Sequence, residues 1–299
     1  MTTEIRIDAL LPAEMAKRAE YVGVRKAETP VITMLALAVL AGAFIGLGAI
    51  FATTILSGGI TISGVDGAAV YKTALPYGIN RLLGGLVFCL GLILVVVGGA
   101  ELFTGNNLIV MAWASRKVTT AALLRNWVIV YIGNFIGSIG TAVLVFLSAQ
   151  YTFGGGAVGL TALNIAKSKV ELGFVQAIAL GILCNALVCL AVWMTFSARS
   201  TIDKIAAIIF PITAFVAAGF EHSIANMYFI PIALFIKGYA PQSFWTAIGK
   251  TASDFASITW RSFFINNLFP VTIGNIIGGV VLVAAIYWMV FLRPEKLNS

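Results

Sequence analysis

Three ionisable side chains interrupt long apolar stretches of this chain: Glu101, Glu221 and His222. Such a group needs a partner, because a charge in an apolar slab costs about 3 kcal/mol or more. A carboxylate can accept orphan N–H groups where a helix breaks. A histidine can move or orient a proton. His222 is the only histidine present, and Cys89, Cys184 and Cys189 form no C-x-x-C pair. The sequence therefore offers no metal-ligand set, no cofactor site and no disulfide framework.

The two carboxylates lie in matching segments. Gly99-Ala100-Glu101-Leu102-Phe103-Thr104-Gly105-Asn106 and Gly219-Phe220-Glu221-His222-Ser223-Ile224-Ala225-Asn226 share Gly, Glu and Asn at the same offsets, 120 residues apart. A second match follows each: Asn126…Ile132-Gly133-Asn134-Phe135-Ile136-Gly137 and Asn267…Ile273-Gly274-Asn275-Ile276-Ile277-Gly278. The repeat-related glutamates read as a shared structural device that takes up helix N–H groups. His222 breaks the symmetry, since Leu102 stands at the equivalent position, and reads as the functional group. Phe103 and Phe215, next to the breaks, read as constrictions.

The surrounding elements must be membrane spans. Of 299 residues, 60% are hydrophobic and 10% charged, against about 25% charged in soluble domains. A soluble enzyme and a disordered chain are both excluded. The net charge of +7 reads as basic loops rather than a nucleic-acid partner. The apolar runs give six all-α spans: 31–56, 82–100 continued by 102–115, 127–147, 172–196, 205–220 continued by 223–236, and 264–292. Three spans per half make the repeat inverted, with two broken helices whose freed backbone lines a cavity.

The termini with segments 116–125 and 197–204 hold 12 basic residues in 55 positions, against 7 in 73 for the opposite loops. That places both termini in the cytoplasm. The division is a 1–30 amphipathic segment, a 31–292 channel domain and a 293–299 tail. Asp8–Lys26 carries Leu11, Met15, Ala19 and Val22 at helical spacing. It reads first as an anchor lying in the lipid interface, second as a plug under a pore, and it is where a cytoplasmic partner could dock. Gly42/Gly46, Gly133/Gly137 and Gly274/Gly278 are faces for close helix packing.

Several segments resemble the formate/nitrite transporter family. Gly99–Gly105 is similar to its first signature. Gly181-Ile182-Leu183-Cys184-Asn185-Ala186-Leu187-Val188-Cys189-Leu190-Ala191 is similar to its second. Phe220–Met227 resembles its central-histidine segment. The likeness extends from Leu10–Lys17 to Pro270–Asn275 and is greatest to the family's formate channels. Ala186 stands where larger apolar residues are usual, and Glu101 replaces the Asp of some relatives.

The resemblance implies an aquaporin-like protomer in a homopentamer in a bacterial-type inner membrane. It implies passage of small monovalent anions, formate first, or of their conjugate acids. It assigns the pore histidine to His222, its threonine to Thr104 and a vestibule lysine to Lys169, with Lys167 as the alternative. It assigns pore-lining polar positions to Asn185 and Asn275, and constrictions to Phe88, Leu92, Phe103 and Phe215. Glu221 joins the substrate-binding group beside His222.

A bare anion is costly at mid-membrane. Lys169, with only Glu171 near it in sequence, would gather anions. The solute would then cross as the neutral acid, with His222 assisting. A nitrite or hydrosulfide channel of the same family is the alternative. A water or ammonia channel ranks lower, because Asn106 and Asn226 lack an Asn-Pro-Ala continuation. An intramembrane enzyme also ranks lower, because the chain has neither a Gly-x-Ser-x-Gly elbow nor a second histidine.

Overall fold

Gly99 and Gly219 stop two spans in the same way. Each follows the last helical turn with φ near +77°, the left-handed backbone that glycine adopts without a Cβ penalty. In each, the next N–H turns back onto the helix, Ala100 to the Val95 carbonyl and Phe220 to the Phe215 carbonyl. The structure is a computed structural model, and it describes residues 9–58, 60–63, 69–73 and 75–293. The first eight residues of the N-terminal segment and residues 294–299 of the tail lie outside the described residues.

The element order is α1 (Pro12–Glu28), α2 (Val31–Leu56), β1 (Ile60–Ser63), β2 (Ala69–Thr73) and α3 (Tyr77–Gly98). After the first break come a 3-10 turn (Gly105–Ile109), α4 (Val110–Ala114), α5 (Thr120–Leu147), α6 (Ala157–Val170), α7 (Phe174–Thr195) and α8 (Thr201–Ala218). The second break leads to α9 (Ser223–Tyr239), α10 (Gln242–Ile248) and the long α11 (Ser262–Leu292). Helices α2, α3, α5, α7, α8 and α11 are long and apolar enough to cross a membrane. As expected, α3 is continued past a break by α4, and α8 by α9. The spans are all-helical, because a bilayer leaves no water for unpaired backbone groups. The departure from an all-helical chain is the antiparallel β1–β2 ribbon between α2 and α3.

The expected small-residue faces lie inside the bundle. A Cβ on Gly137 would overlap the Val39 carbonyl oxygen, joining α5 to α2. A Cβ on Gly278 would overlap the Ile182 carbonyl oxygen, joining α11 to α7. Val39 and Ile182 are themselves repeat mates, so the same contact is made once in each half. The described segments nearest the two termini meet on one face, where Met15, Ala16, Met111 and Leu292 share an apolar cluster.

Helix α1 corrects two expectations. It runs over 12–28 rather than 8–26, with Pro12 in its first turn. It is also docked on protein rather than anchored in the interface. The docking face is Met15, Ala16, Ala19, Gly23 and Ala27, and Leu11 at the head of the expected stripe is 69% exposed. The reason is close approach: a Cβ on Gly23 would sit 3.1 Å from Ala112 Cβ. Small residues, not large ones, make this contact.

Gly278→Val should cost about 1–3 kcal/mol through overpacking against α7 and lower the melting temperature in detergent. Gly140→Ala, with no atom within 4 Å of the added methyl, should melt with the parent. Equal melting of the three proteins would disprove the close-contact account.

Candidate functional site

Each break is held by a cage built from the same residues. In the first, Lys26 Nζ donates to Glu101 Oε1 at 2.8 Å and Asn106 Nδ2 to Glu101 Oε2 at 2.7 Å. Asn106 also donates to Asn126 Oδ1, and Asn126 donates to the Lys26 carbonyl. In the second, Lys169 Nζ donates to Glu221 Oε1 and Asn226 Nδ2 to Glu221 Oε2, both at 2.7 Å. Asn226 donates to Asn267 Oδ1, and Asn267 to the Lys169 carbonyl.

A second asparagine braces the backbone of each break. Asn134 Oδ1 accepts the Phe103 N–H while its Nδ2 donates to the Ala38 and Glu101 carbonyls. Asn275 Oδ1 accepts the Ser223 N–H while its Nδ2 donates to the Gly181 and Glu221 carbonyls. The groups that a broken helix frees are thereby satisfied inside the protein.

This corrects the expected role of the glutamates. Neither is a helix cap. They take lysine and asparagine donors, and His222 caps α9 by accepting the Ala225 N–H on Nδ1 at 3.1 Å. The expected isolation of Lys169 is corrected too. It sits in the last turn of α6 rather than in a loop, its side chain is 14% exposed, and it is ion-paired to Glu221. Lys167 turns away, donating to the Asp254 carbonyl at 3.1 Å.

Sequence reasoning passed over Lys26 as a site residue, although the signal is legible. Lys26-Ala27-Glu28 before α2 matches Lys169-Val170-Glu171 before α7. The repeat unit is therefore one short helix followed by three spans, with α1 the mate of α6.

His222 and Thr104 meet where the breaks face each other. Thr104 Oγ1 and His222 Nε2 are 2.9 Å apart, and both residues are buried. Two cavities approach this pair from opposite faces. The one on the face of α1 and Leu292, called inner for the orientation expected from the charge asymmetry, is about 330 Å³ and is lined by Lys26, Leu92, Leu102 and Glu101 among others. The outer one is about 140 Å³ and is lined by Phe88, Lys169, Phe215, Glu221 and His222. Phe88 and Leu92 lie one turn apart on α3, about 6 Å along its axis at 1.5 Å per residue, one on each cavity.

Not every expected residue faces these cavities. Phe103 packs on α5, with ring centroids 5.9 Å from Trp127 and 4.9 Å from Tyr131. Its N–H is bound to Asn134 on that same helix, which turns the ring away from the cavities. Phe229 takes the place on the outer wall, stacked 6.3 Å from Phe88, which meets Phe215 edge-on at 5.7 Å. Asn185 and Asn275 line neither cavity. They stand behind the breaks, and Asn185 Nδ2 donates to the Thr104 and Asn275 carbonyls.

Removing one member of a buried ion pair costs about 3–5 kcal/mol, whereas replacing both can be neutral. Lys169→Met should lower the melting temperature sharply, and Lys169→Met with Glu221→Gln should recover most of the loss. Additive losses in thermal unfolding would show that the pair is not coupled.

The comparisons with known proteins bear on the family and the fold. Residues 13–289 match the family model described as formate/nitrite transporter. The chain is 45% identical over 295 residues to the formate channel FocA of Escherichia coli (strain K12), covering 99% of each. It is 39% identical to the formate channel FocA of Haemophilus influenzae, covering 92% of each. A solved structure described as a pentameric formate channel with formate bound is 45% identical. It superposes with a TM-score of 0.79 over 88% of this chain and 98% of that one. A match over nearly the whole chain, on a bundle of long apolar helices, makes this protein an integral membrane member of the formate/nitrite transporter family.

Proposed function

We propose that the chain forms a homopentamer in a bacterial-type inner membrane, with both termini cytoplasmic, and that each protomer conducts formate. The relatives named above are formate channels, and one is a pentamer holding formate. The observation that carries the mechanism is the His222–Thr104 hydrogen bond at the wall between the two cavities.

Each cavity admits a small carboxylate with a few waters, at about 30 Å³ of liquid volume per water. The wall of Phe88, Phe215 and Leu92 opposes a bare anion and favours a neutral acid. His222 Nδ1 is engaged as an acceptor by the Ala225 N–H, so a neutral ring carries its proton on Nε2 and donates to Thr104 Oγ1. That leaves the Thr104 hydroxyl hydrogen for a solute oxygen. The carboxylate takes a proton from hydronium arriving through the pore water, His222 and Thr104 orient the resulting acid, and formic acid crosses the short apolar wall when Phe88 and Phe215 part and returns the proton to water on the far side. Glu221 and Lys169 hold the break that presents His222, while Asn185 and Asn275 hold the backbone behind it.

Flux into proteoliposomes, with formate, nitrite, hydrosulfide and chloride at two pH values, tests the reading. Formate flux should fall as pH rises, because the proton becomes scarce, and His222→Phe should flatten or shift that response. A folded His222→Phe pentamer with the parent's pH profile would remove His222 from proton handling. Preference for nitrite or hydrosulfide over formate would reassign the substrate.

The orientation is tested by labelling single cysteines placed at 154–156, since Cys89, Cys184 and Cys189 are all buried. Labelling from outside is expected, and labelling only from inside would invert the topology.

A further inference from the structure

Two of the three lysines on the cavity walls are neutralised. Lys169 is paired with Glu221, and Lys26 with Glu101. The outer cavity is lined by three charged side chains: Lys169, Glu221 and Arg81. Its net positive charge therefore comes from Arg81. The inner cavity is lined by Arg18, Lys26, Glu101 and Lys204. There the excess comes from Arg18 and Lys204.

Arg81 and Lys204 occupy related places. Arg81 is in the first turns of α3, and its guanidinium donates to the carbonyls of Val216, through Nη2, and of Ala217, through Nε at 3.2 Å. Those carbonyls belong to the last turn of α8 before its break. Lys204 is in the first turn of α8 and lines the inner cavity together with Val96 and Gly99, the end of α3 before its break. Val96 and Gly99 are the repeat mates of Val216 and Gly219, which line the outer cavity beside Arg81. Each broken helix thus points its C-terminus at one cavity, and the other broken helix supplies a cation there from its own first turns.

The physical need is clear. A helix C-terminus carries about −0.5 elementary charge in unsatisfied carbonyls, and it would repel an anion at the narrow end of each cavity. A guanidinium has five donors in a fixed fork, so it can hold two carbonyls and still face the cavity.

We propose that Arg81 and Lys204 set the anion selectivity of the outer and inner cavities. They cancel the helix-end charge and supply the net positive potential, while Lys169 and Lys26 chiefly hold the breaks. The proposal rests on the reading of the chain as a formate channel.

The test measures initial uptake of labelled formate by right-side-out and inside-out membrane vesicles, with pentamer content and melting checked for each variant. Arg81→Gln should lower uptake from the outer face about fivefold or more at low formate and low salt, with little effect at saturating formate. The gap should close near 1 M salt, where the screening length falls to about 3 Å. Arg81→Lys should keep most of the parent's low-formate uptake. Lys204→Gln should show the same salt-sensitive loss from the inner face.

A loss in Arg81→Gln that is the same at every salt and formate concentration would overturn the proposal, leaving Arg81 a helix cap. An Arg81→Lys protein as impaired as Arg81→Gln would do so too. Parent vesicles that take up no formate would overturn the channel reading itself, whereas a conducting parent with unaffected variants overturns the selectivity assignment alone.

Discussion

A buried carboxylate at each helix break is the constraint around which the molecule is organised. Breaking a span frees backbone N–H and C=O groups where water cannot reach them. Placing a glutamate there adds a charge that also needs neutralising. One lysine and two asparagines in each half neutralise the carboxylate and close a ring onto the lysine's own carbonyl, and a third asparagine, Asn134 or Asn275, takes up the freed backbone groups. The ring also explains why α1 and α6 lie where they do. Each brings a lysine to the edge of the bundle, and each is fixed there by an ion pair reaching inside. Further bonds pin α1, from Lys117 to Glu20 and from Arg125 to the Ala27 and Thr29 carbonyls.

The cages are symmetric and the centre is not. The repeat places Leu102 against His222, Ile224 against Thr104, Phe103 against Ser223, Met227 against Asn107 and Gly42 against Asn185. In every pair one member is polar and its mate has no polar side chain, and all the polar members lie around the apposed breaks. Asn185 joins Thr104 to Asn107 and Asn275. Ser223 is tied to Asn275 through its N–H, while its hydroxyl and Asn185 Oδ1 have no protein partner. A frame can be duplicated because it only has to hold two breaks. A single path needs its polar contact once, at the place where the halves meet.

The wall between the cavities is short, and its shortness follows from helix geometry. Phe88 faces the outer cavity and Leu92 the inner one, four residues apart on one face of α3. On the proposed path a solute would meet about one helical turn of apolar surface, about 6 Å, rather than a full bilayer. The rings on the outer side pack edge-on and stacked against one another, so the wall there is aromatic.

Much of this was legible in the order of residues. Apolar runs, interrupted twice by a glutamate after a glycine, give six helices with two breaks, because glycine ends a helix and a membrane demands helices elsewhere. The offsets of Gly, Glu and Asn give the inverted repeat, and the missing mate of His222 marks the centre. What only the tertiary structure decided was who meets whom across 75 or 118 residues. Lys26 reaching Glu101 and His222 reaching Thr104 depend on how α1 and the breaks are packed, and no local spacing encodes that. The same holds for Phe103, whose place beside a break suggests a constriction. Its N–H is claimed by Asn134, so its ring lies on α5, and Phe229 from the other half lines the cavity instead. Local sequence determines where a helix stops. Which way the next residue faces is decided by the partner that satisfies its backbone.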